Sequence, residues 1–249
     1  MILIIDFGSQ YNQLIARRVR EHQVYCQIEP PEISIGKIRA LRPEGIILSG
    51  GPASIYEAHS PRVDKEIFDL GVPAMGICYG LQFMIDALGG EVIRSEKREY
   101  GFAELIVGKA GAILAGVEKR TRCWMSHGDR IGRLPAGFRI TASTENTEAA
   151  AAEDANRRLY GLQFHPEVVH TAEGKKMLAN FLFGVCGCQK SWTMKSFVRE
   201  ATEEIRATVD DKRVVLGLSG GVDSSVAAVL IHRAIGRQLT CVFVDNGLL

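Results

Sequence analysis

The sequence predicts an α/β protein: a mostly parallel or mixed sheet flanked by helices, of the flavodoxin-like kind, followed by a second, partial α/β domain. Three observations support this fold class. Short apolar runs alternate with helix-like segments as far as residue 88, strand-like segments then follow one another closely, and a new strand, glycine loop and helix begin near residue 213. Alternating strands and helices are typical of a parallel sheet covered on both faces.

The first part of the chain supplies the elements of this sheet. Four apolar runs predict buried parallel strands, at residues 2–5, 24–28, 45–48 and 73–77. Helical patterns lie among them, at residues 11–22, 62–70 and 79–88. From about residue 91, Gly and Asn turns separate β-rich segments, which predicts an antiparallel or mixed addition, at residues 103–107, 138–144, 149–153 and 159–164. A helix at residues 172–183 ends this part.

A second region follows a segment without periodicity. The stretch FGVCGCQKSW contains two glycines and predicts a linker at residues 186–194, between a domain at 1–185 and a region at 195–249. That region predicts a helix at 195–209, a strand at 213–218, a helix at 223–235 and a strand at 239–244. So small a unit cannot bury a core of its own, so we expect it to be loosely held or docked on the first domain.

Composition excludes several classes of protein. The chain has 249 residues, 30 Lys and Arg against 29 Asp and Glu, and a net charge of +1, so it lacks the basic face expected for nucleic acid or an anionic membrane. No run approaches the roughly 18 apolar residues of a membrane-spanning helix. The six cysteines show no disulfide framework, and Cys186 and Cys188 have no second pair at zinc spacing. We expect a cytoplasmic protein.

The motif GICYG at residues 76–80 places Cys78 between two glycines, where a buried strand gives way to a helix. This is the arrangement of a nucleophile elbow. A thiol at a helix N-terminus is favoured as thiolate, and the N–H of Tyr79 points to where an oxyanion would form. A core cysteine after a strand remains an equally good interpretation of this motif alone.

Two further motifs offer partners for such a thiol. His165 ends the strand-like stretch LYGLQF, and Glu167 lies two residues on, where its carboxylate can orient the imidazole. Gly51, in ILSGGPAS, is a candidate second oxyanion donor. Each motif alone is compatible with a purely structural turn.

Together, the motifs LSGGP, GICYGLQ, WMSHGD and QFHPE closely resemble the class I glutamine amidotransferase domain over residues 1–185. The resemblance implies that Cys78 attacks the side-chain amide of L-glutamine, with His165 as general base and then acid and Glu167 holding His165. It implies an oxyanion hole from the N–H groups of Gly51 and Tyr79, and hydrolysis through a γ-glutamyl thioester without a cofactor. It also assigns a set of residues to glutamine binding: Gln82, Tyr100, Gly101, Ser126 and His127. His127 is interpreted as a binding or structural residue, since QFHPE already supplies the base.

The stretch SGGVDSS lacks the lysine of a Walker A loop, so it is a different kind of phosphate loop. It offers backbone N–H groups and hydroxyls at a helix start, and it resembles the pyrophosphate-binding loop of N-type ATP pyrophosphatases. The resemblance implies an ATP-binding set: Ser219, Gly220, Gly221, Val222, Asp223, Ser224 and Ser225. Asp223 is the candidate for binding Mg²⁺ or ordering the loop, and CVFVDNG resembles the next strand of that domain. A plain glycine turn before a helix is the alternative.

The order of the two regions resembles the family of glutamine-hydrolysing GMP synthases. The resemblance implies that Mg-ATP adenylates xanthosine 5′-monophosphate (XMP) and that ammonia then displaces AMP to give GMP, in a homodimer held by a C-terminal domain. Members continue well beyond the loop, so we expect this chain to be part of a longer protein and at most a glutaminase by itself. Two alternatives remain: the glutaminase of another synthetase, as in carbamoyl phosphate, anthranilate or CTP synthesis, or a catalytically silent glutamine-binding fragment.

Overall fold

The computed structural model describes residues 1–109 and 111–244, apart from the side chains of residues 95–98. The chain divides into two compact units, Met1–Ser191 and Trp192–Leu249, which we call unit 1 and unit 2. The first residues of the predicted linker belong to unit 1, where Cys188 is buried.

Within the described part of unit 1, nine strands form one mixed sheet. In chain order they are β1 (Ile2–Ile5), β2 (Cys26–Glu29), β3 (Gly45–Leu48), β4 (Ala74–Ile77), β5 (Glu91–Val107), β6 (Arg120–Arg133), β7 (Arg139–Ser143), β8 (Ala151–Asp154) and β9 (Leu159–Leu162). Their spatial order is β2-β1-β3-β4-β9-β8-β7-β5-β6. In this spatial order the neighbours from β2 to β9 pair in parallel, and those from β9 to β6 pair antiparallel. The mixed sheet confirms the predicted fold class.

The parallel half is buried on both faces. Ile2 and Ile4 of β1 enter one hydrophobic cluster, while Leu3 and Ile5 enter another, and all four side chains are fully buried. Each such side chain stabilises the fold by roughly 1.5–3 kcal/mol. The alternation fixes the register, because a slip by one residue would exchange the two faces.

Four α-helices are described in unit 1: α1 (Asn12–Glu21), α2 (Ile35–Leu41), α3 (Tyr79–Ala87) and α4 (Gly174–Ala179). The helix predicted at residues 62–70 was wrong in type, because only a 3₁₀ helix forms, at Lys65–Asp69. The Asp64 side chain accepts a hydrogen bond from Glu66 N at the start of this segment, and Gly71 ends it with a φ of +70°. Short connecting segments of this kind commonly take the tighter 3₁₀ form. The helix predicted at 172–183 forms two residues further on, as α4 followed directly by a π-helix, Asn180–Val185.

The antiparallel half contains the largest departure from the sequence prediction. Strands β5 and β6 form one long hairpin, whereas the sequence predicted a strand at only residues 103–107 of it. Both strands are rich in charged residues, so the two-residue alternation that predicts a strand is weak in them. The motif WMSHGD therefore lies on a strand, β6.

Unit 2 contains α5 (Met194–Val209), β10 (Val214–Leu218), α6 (Val222–Ile235) and β11 (Leu239–Phe243), with the two strands paired in parallel. Among its described residues only Thr202, Ala234 and Ile235 are buried. This agrees with the expectation that the region is too small to bury a core. The end of CVFVDNG, together with the rest of residues 245–249, lies outside the described residues. In the part of the chain that the structure describes, no helix is long and apolar enough to cross a membrane.

Candidate active site

Cys78 lies in a strained turn between β4 and α3. Its backbone has φ 50° and ψ −107°, a sparsely populated region that costs a non-glycine residue on the order of 1–3 kcal/mol. A hydrogen bond of 2.7 Å from Cys78 N to Leu162 O fixes the turn to the end of β9. Gly80 is needed for the tight passage, because a Cβ there would lie 2.3 Å from the Leu48 carbonyl oxygen. The sequence prediction of an elbow at this position agrees with this geometry.

Sheet order brings the other predicted groups to the same place. Strands β3, β4 and β9 are parallel neighbours, so their carboxyl ends meet at one edge of the sheet. Gly51 follows β3, Cys78 follows β4, and His165 follows β9. Residues far apart in sequence therefore converge at this edge.

His165 and Glu167 form a buried pair. The imidazole Nδ1 lies 2.7 Å from Glu167 Oε1, and both side chains are at most 5% exposed. Because the ionised carboxylate can only accept, Nδ1–H donates to it, which leaves Nε2 for the Cys78 thiol. Burial lowers the pKa of His165, but the charge of Glu167 and the hydrogen bonds to Cys78 and Glu167 outweigh it, so the pKa lies well above its usual value.

The backbone around His165 is also fixed. The Thr171 hydroxyl donates to the His165 carbonyl at 2.5 Å and accepts a hydrogen bond from Trp124 N at 3.1 Å. His165 N donates to the Trp124 carbonyl at 3.1 Å. The ring of Tyr11 packs edge-on against the imidazole, with the two centroids 5.2 Å apart. These contacts hold the imidazole in one place.

The two predicted oxyanion donors flank Cys78. Tyr79 is the first residue of α3, so its N–H has no partner within the helix and lies at the positive end of the helix dipole. Gly51 and Tyr79 both line the pocket above Cys78. At Gly51 a Cβ would lie 2.5 Å from the Phe7 carbonyl oxygen, so only glycine allows this close approach of the two backbones.

A pocket of about 640 Å³ opens onto Cys78. Of the residues predicted to bind glutamine, Gln82, Tyr100, Ser126 and His127 line it, and Gly101 lies on β5 beside Tyr100. The pocket also contains charged side chains that sequence reasoning missed: Glu57, Arg94 and Asp129. It thus combines a nucleophile with both signs of charge, as a zwitterionic amino acid requires.

Two of the predicted binding side chains already have partners in the protein. Gln82 Nε2 donates to the Asp129 carbonyl at 2.9 Å, and His127 Nδ1 donates to the same oxygen at 3.0 Å. His127 Nε2 lies 3.4 Å from the Glu99 carboxylate. Burial lowers the pKa of His127, and Glu99 opposes this shift. These side chains support the wall of the pocket at Asp129.

In unit 2 the predicted phosphate loop precedes α6. Gly220 has a φ of +79°, and Gly221 is the N-cap without a side-chain cap, so the first N–H groups of α6 have no side-chain acceptor. The hydroxyls of Ser224 and Ser225 donate to the Gly221 carbonyl at 3.1 and 2.9 Å and hold the turn. Asp223 lies in the first turn of α6. No group of three His, Cys, Asp or Glu residues that could hold a metal occurs among the described residues.

Comparison with known proteins identifies unit 1. A family profile described as glutamine amidotransferase class-I matches residues 3–185, nearly three quarters of the chain. The chain belongs to the class I glutamine amidotransferase family. A profile described as NAD synthase matches residues 193–244, which agrees with the predicted ATP pyrophosphatase region.

Several relatives of this amidotransferase carry a more specific description. Proteins described as glutamine-hydrolysing GMP synthase from Azoarcus sp. and Heliobacterium modesticaldum are 57% and 56% identical, over 100% and 99% of this chain. The chain spans about half of their length, 49% and 48% respectively. A solved protein of Thermoplasma acidophilum, provisionally described as a subunit of GMP synthase, is 32% identical with a TM-score of 0.70. That match covers 75% of this chain and 93% of the other.

The buried side chain of Gln163 is the main residue of this amidotransferase site that sequence reasoning left without a role. It is fully buried, and its Nε2 lies 3.7 Å from Cys78 Sγ. Its position two residues before His165, in a strand-like stretch, was the available signal, because alternate residues of an extended chain share a face.

Proposed function

We propose that unit 1 hydrolyses the side-chain amide of L-glutamine to glutamate and ammonia. The observation that carries the proposal is the Cys78 elbow beside a buried His165–Glu167 pair at 2.7 Å. His165 Nε2 takes the thiol proton, and the thiolate attacks the amide carbon to form a tetrahedral intermediate. Glu167 stabilises the imidazolium that results.

The developing oxyanion lies between the N–H groups of Gly51 and Tyr79. Removing one such donor from an enzyme lowers the rate on the order of 10²–10³-fold. The imidazolium of His165 then protonates the departing nitrogen, and ammonia leaves a γ-glutamyl thioester on Cys78. In the second half His165 takes a proton from water, which attacks the thioester carbonyl, and glutamate and the free thiol are released.

The substrate's amino acid end fits the polar side of the pocket. We assign Arg94 to the α-carboxylate and Glu57 to the α-ammonium group, because these are pocket side chains of suitable charge. Tyr100, Gly101 and Ser126 complete the predicted binding surface. Gln82 and His127 act on this surface through Asp129, whose carbonyl they both bind.

For the complete protein we propose glutamine-dependent synthesis of GMP. Ammonia from unit 1 would displace AMP from adenylated XMP, with ATP held at the loop of residues 219–225. The loop fits a phosphate, because α6 begins without a side-chain cap and its first N–H groups are available to an anion. Asp223 would repel that phosphate directly, but its carboxylate is the kind of oxygen ligand that would hold a Mg²⁺ ion, and the ion would offset the charge of the phosphate. The homodimer and the cytoplasmic location stay predictions.

The deciding test is ammonia release from L-glutamine by this chain and by its Cys78→Ala variant. The parent is expected to release ammonia, and the variant none above background. Labelling of Cys78 by an alkylating glutamine analogue separates the remaining outcomes. A labelled parent that releases no ammonia would be a glutamine-binding unit held inactive, whereas absence of both would contradict the role of Cys78.

A further inference from the structure

A chain of hydrogen bonds leads from the wall of the pocket to the nucleophile through two glutamines. The Asp129 carbonyl accepts from Gln82 Nε2 at 2.9 Å, Gln82 Nε2 lies 3.3 Å from Gln163 Oε1, and Gln163 Nε2 lies 3.7 Å from Cys78 Sγ. Gln163 is fully buried and Gln82 is 3% exposed. The two side-chain amides are therefore largely shielded from water.

The orientation of both amides follows from the backbone carbonyl at one end. A carbonyl can only accept, so the NH₂ group of Gln82 must face Asp129. Its second proton then faces Gln163, which must present its oxygen. The NH₂ group of Gln163 consequently faces the sulfur of Cys78, whereas a flipped amide would oppose two donors to each other.

The location of Gln163 is fixed by the fold as well as by its amide. Gln163 N donates to the Ala150 carbonyl at 2.8 Å, immediately after β9. Cys78 N donates to the neighbouring Leu162 carbonyl at 2.7 Å, which ties the elbow to the same strand end. Gln163 and His165, two residues apart on this extension, both reach the one sulfur.

The sulfur needs a second donor because one of its neighbours opposes the thiolate. The Ser126 carbonyl lies 3.4 Å from Cys78 Sγ, where it accepts from the neutral thiol and repels a negative sulfur. We propose that Gln163 donates a hydrogen bond to the Cys78 thiolate and thereby both stabilises it and aims it at the substrate. This inference rests on the proposed glutaminase function, and it assigns Gln163 and its orienting partner Gln82 a role in nucleophile activation.

The test is the pH profile for alkylation of Cys78 by iodoacetamide, followed on the Cys78 peptide by mass spectrometry so that the other thiols do not contribute. Gln163→Met keeps the length of the side chain and removes the donor. Its profile is expected to move to higher pH by about one unit, because a hydrogen bond that favours the charged form of the sulfur is lost. Gln163→Asn keeps an amide that is one methylene too short, and the same direction of shift is expected. Exposed Gln13→Leu is the matched control.

A merely structural role for Gln163 would give a different pattern. With the proposed role, alkylation rates of parent and variant converge at high pH, and turnover of glutamine falls about tenfold at neutral pH with little change in KM. A profile that coincides with the parent's in a folded variant, checked by thermal melting, overturns the inference. Alkylation needs no turnover. If Gln163→Met shows the shift but the parent releases no ammonia, the proposed function is contradicted and the role of Gln163 stands.

Discussion

The charge of Glu167 is the feature of the site whose loss can be predicted in most detail. The side chain is fully buried, one oxygen accepts from His165 Nδ1 at 2.7 Å, and the other has no hydrogen-bond partner in the described structure. Glu167→Gln keeps the volume and an acceptor but removes the charge. A hydrogen bond to a charged group is worth about 1.5–3 kcal/mol, so ammonia release is expected to fall about 10- to 150-fold.

The pH dependence of the protein's stability should also change in the Glu167→Gln variant. The folded-state pKa of His165 lies above its usual value, so protonated His165 stabilises the fold fully below about pH 6.5 and loses this effect as pH rises through the folded-state pKa. Glu167→Gln removes the main attraction that raises this pKa. The Tm difference between parent and variant is therefore expected to be largest near pH 6 and to shrink towards alkaline pH.

Kinetics of ammonia release and thermal melts across pH measure both effects. Glu148→Gln is the matched control, because Glu148 is exposed and belongs to the same unit. Parental activity in Glu167→Gln would refute the assignment of Glu167 as the group that stabilises the imidazolium. A Tm difference independent of pH would refute the claim that its charge acts through His165.

Three further predictions concern the oxyanion donor and unit 2. Gly51→Ala should lower ammonia release about 10²–10³-fold, because the added Cβ meets the Phe7 carbonyl at 2.5 Å and displaces the oxyanion-donating N–H. Alkylation of Cys78 should persist in this variant. Loss of both ammonia release and alkylation would indicate a collapsed site instead. Thr193→Ala removes the N-cap and capping box of α5 and should destabilise unit 2 by about 1 kcal/mol. Hydrogen exchange of the α5 amides measures this loss. An equal effect of Thr208→Ala, at an exposed position of the same helix, would contradict the role of the cap. Asp223→Asn should weaken binding of Mg²⁺-pyrophosphate in calorimetry but strengthen binding of pyrophosphate alone, and equal weakening of both would contradict a metal role.

The sequence was sufficient to predict the site residues that lie at strand ends. Cys78, His165 and Gly51 each follow an apolar run, and a parallel sheet brings such ends together, so both their existence and their meeting could be predicted. The glycines at the elbow were informative for the same reason, since they mark places where two backbones approach closely.

The site residues that the sequence did not predict are placed by contacts between segments that are far apart in the chain. Asp129 and Arg94 enter the pocket because β5 and β6 form a hairpin, and their charged sequences hide the strand pattern. Gln163 has a role only because α3 places Gln82 next to it, and the orientation of both amides is set by a carbonyl on β6. Such relations are properties of the tertiary structure, which a local pattern does not contain.

The strain at Cys78 shows why the reactive geometry belongs to unit 1. A φ of 50° in a cysteine persists only where the surroundings compensate its cost. Here β4 enters the turn fully buried, Cys78 N bonds to the end of β9, and Gly80 packs against the Leu48 carbonyl at the end of β3. All of these contacts, together with His165 and Glu167, lie within Met1–Ser191. Variants confined to unit 2 should therefore leave the alkylation profile of Cys78 unchanged, and a shift caused by Thr193→Ala would mean that the geometry of the elbow depends on unit 2.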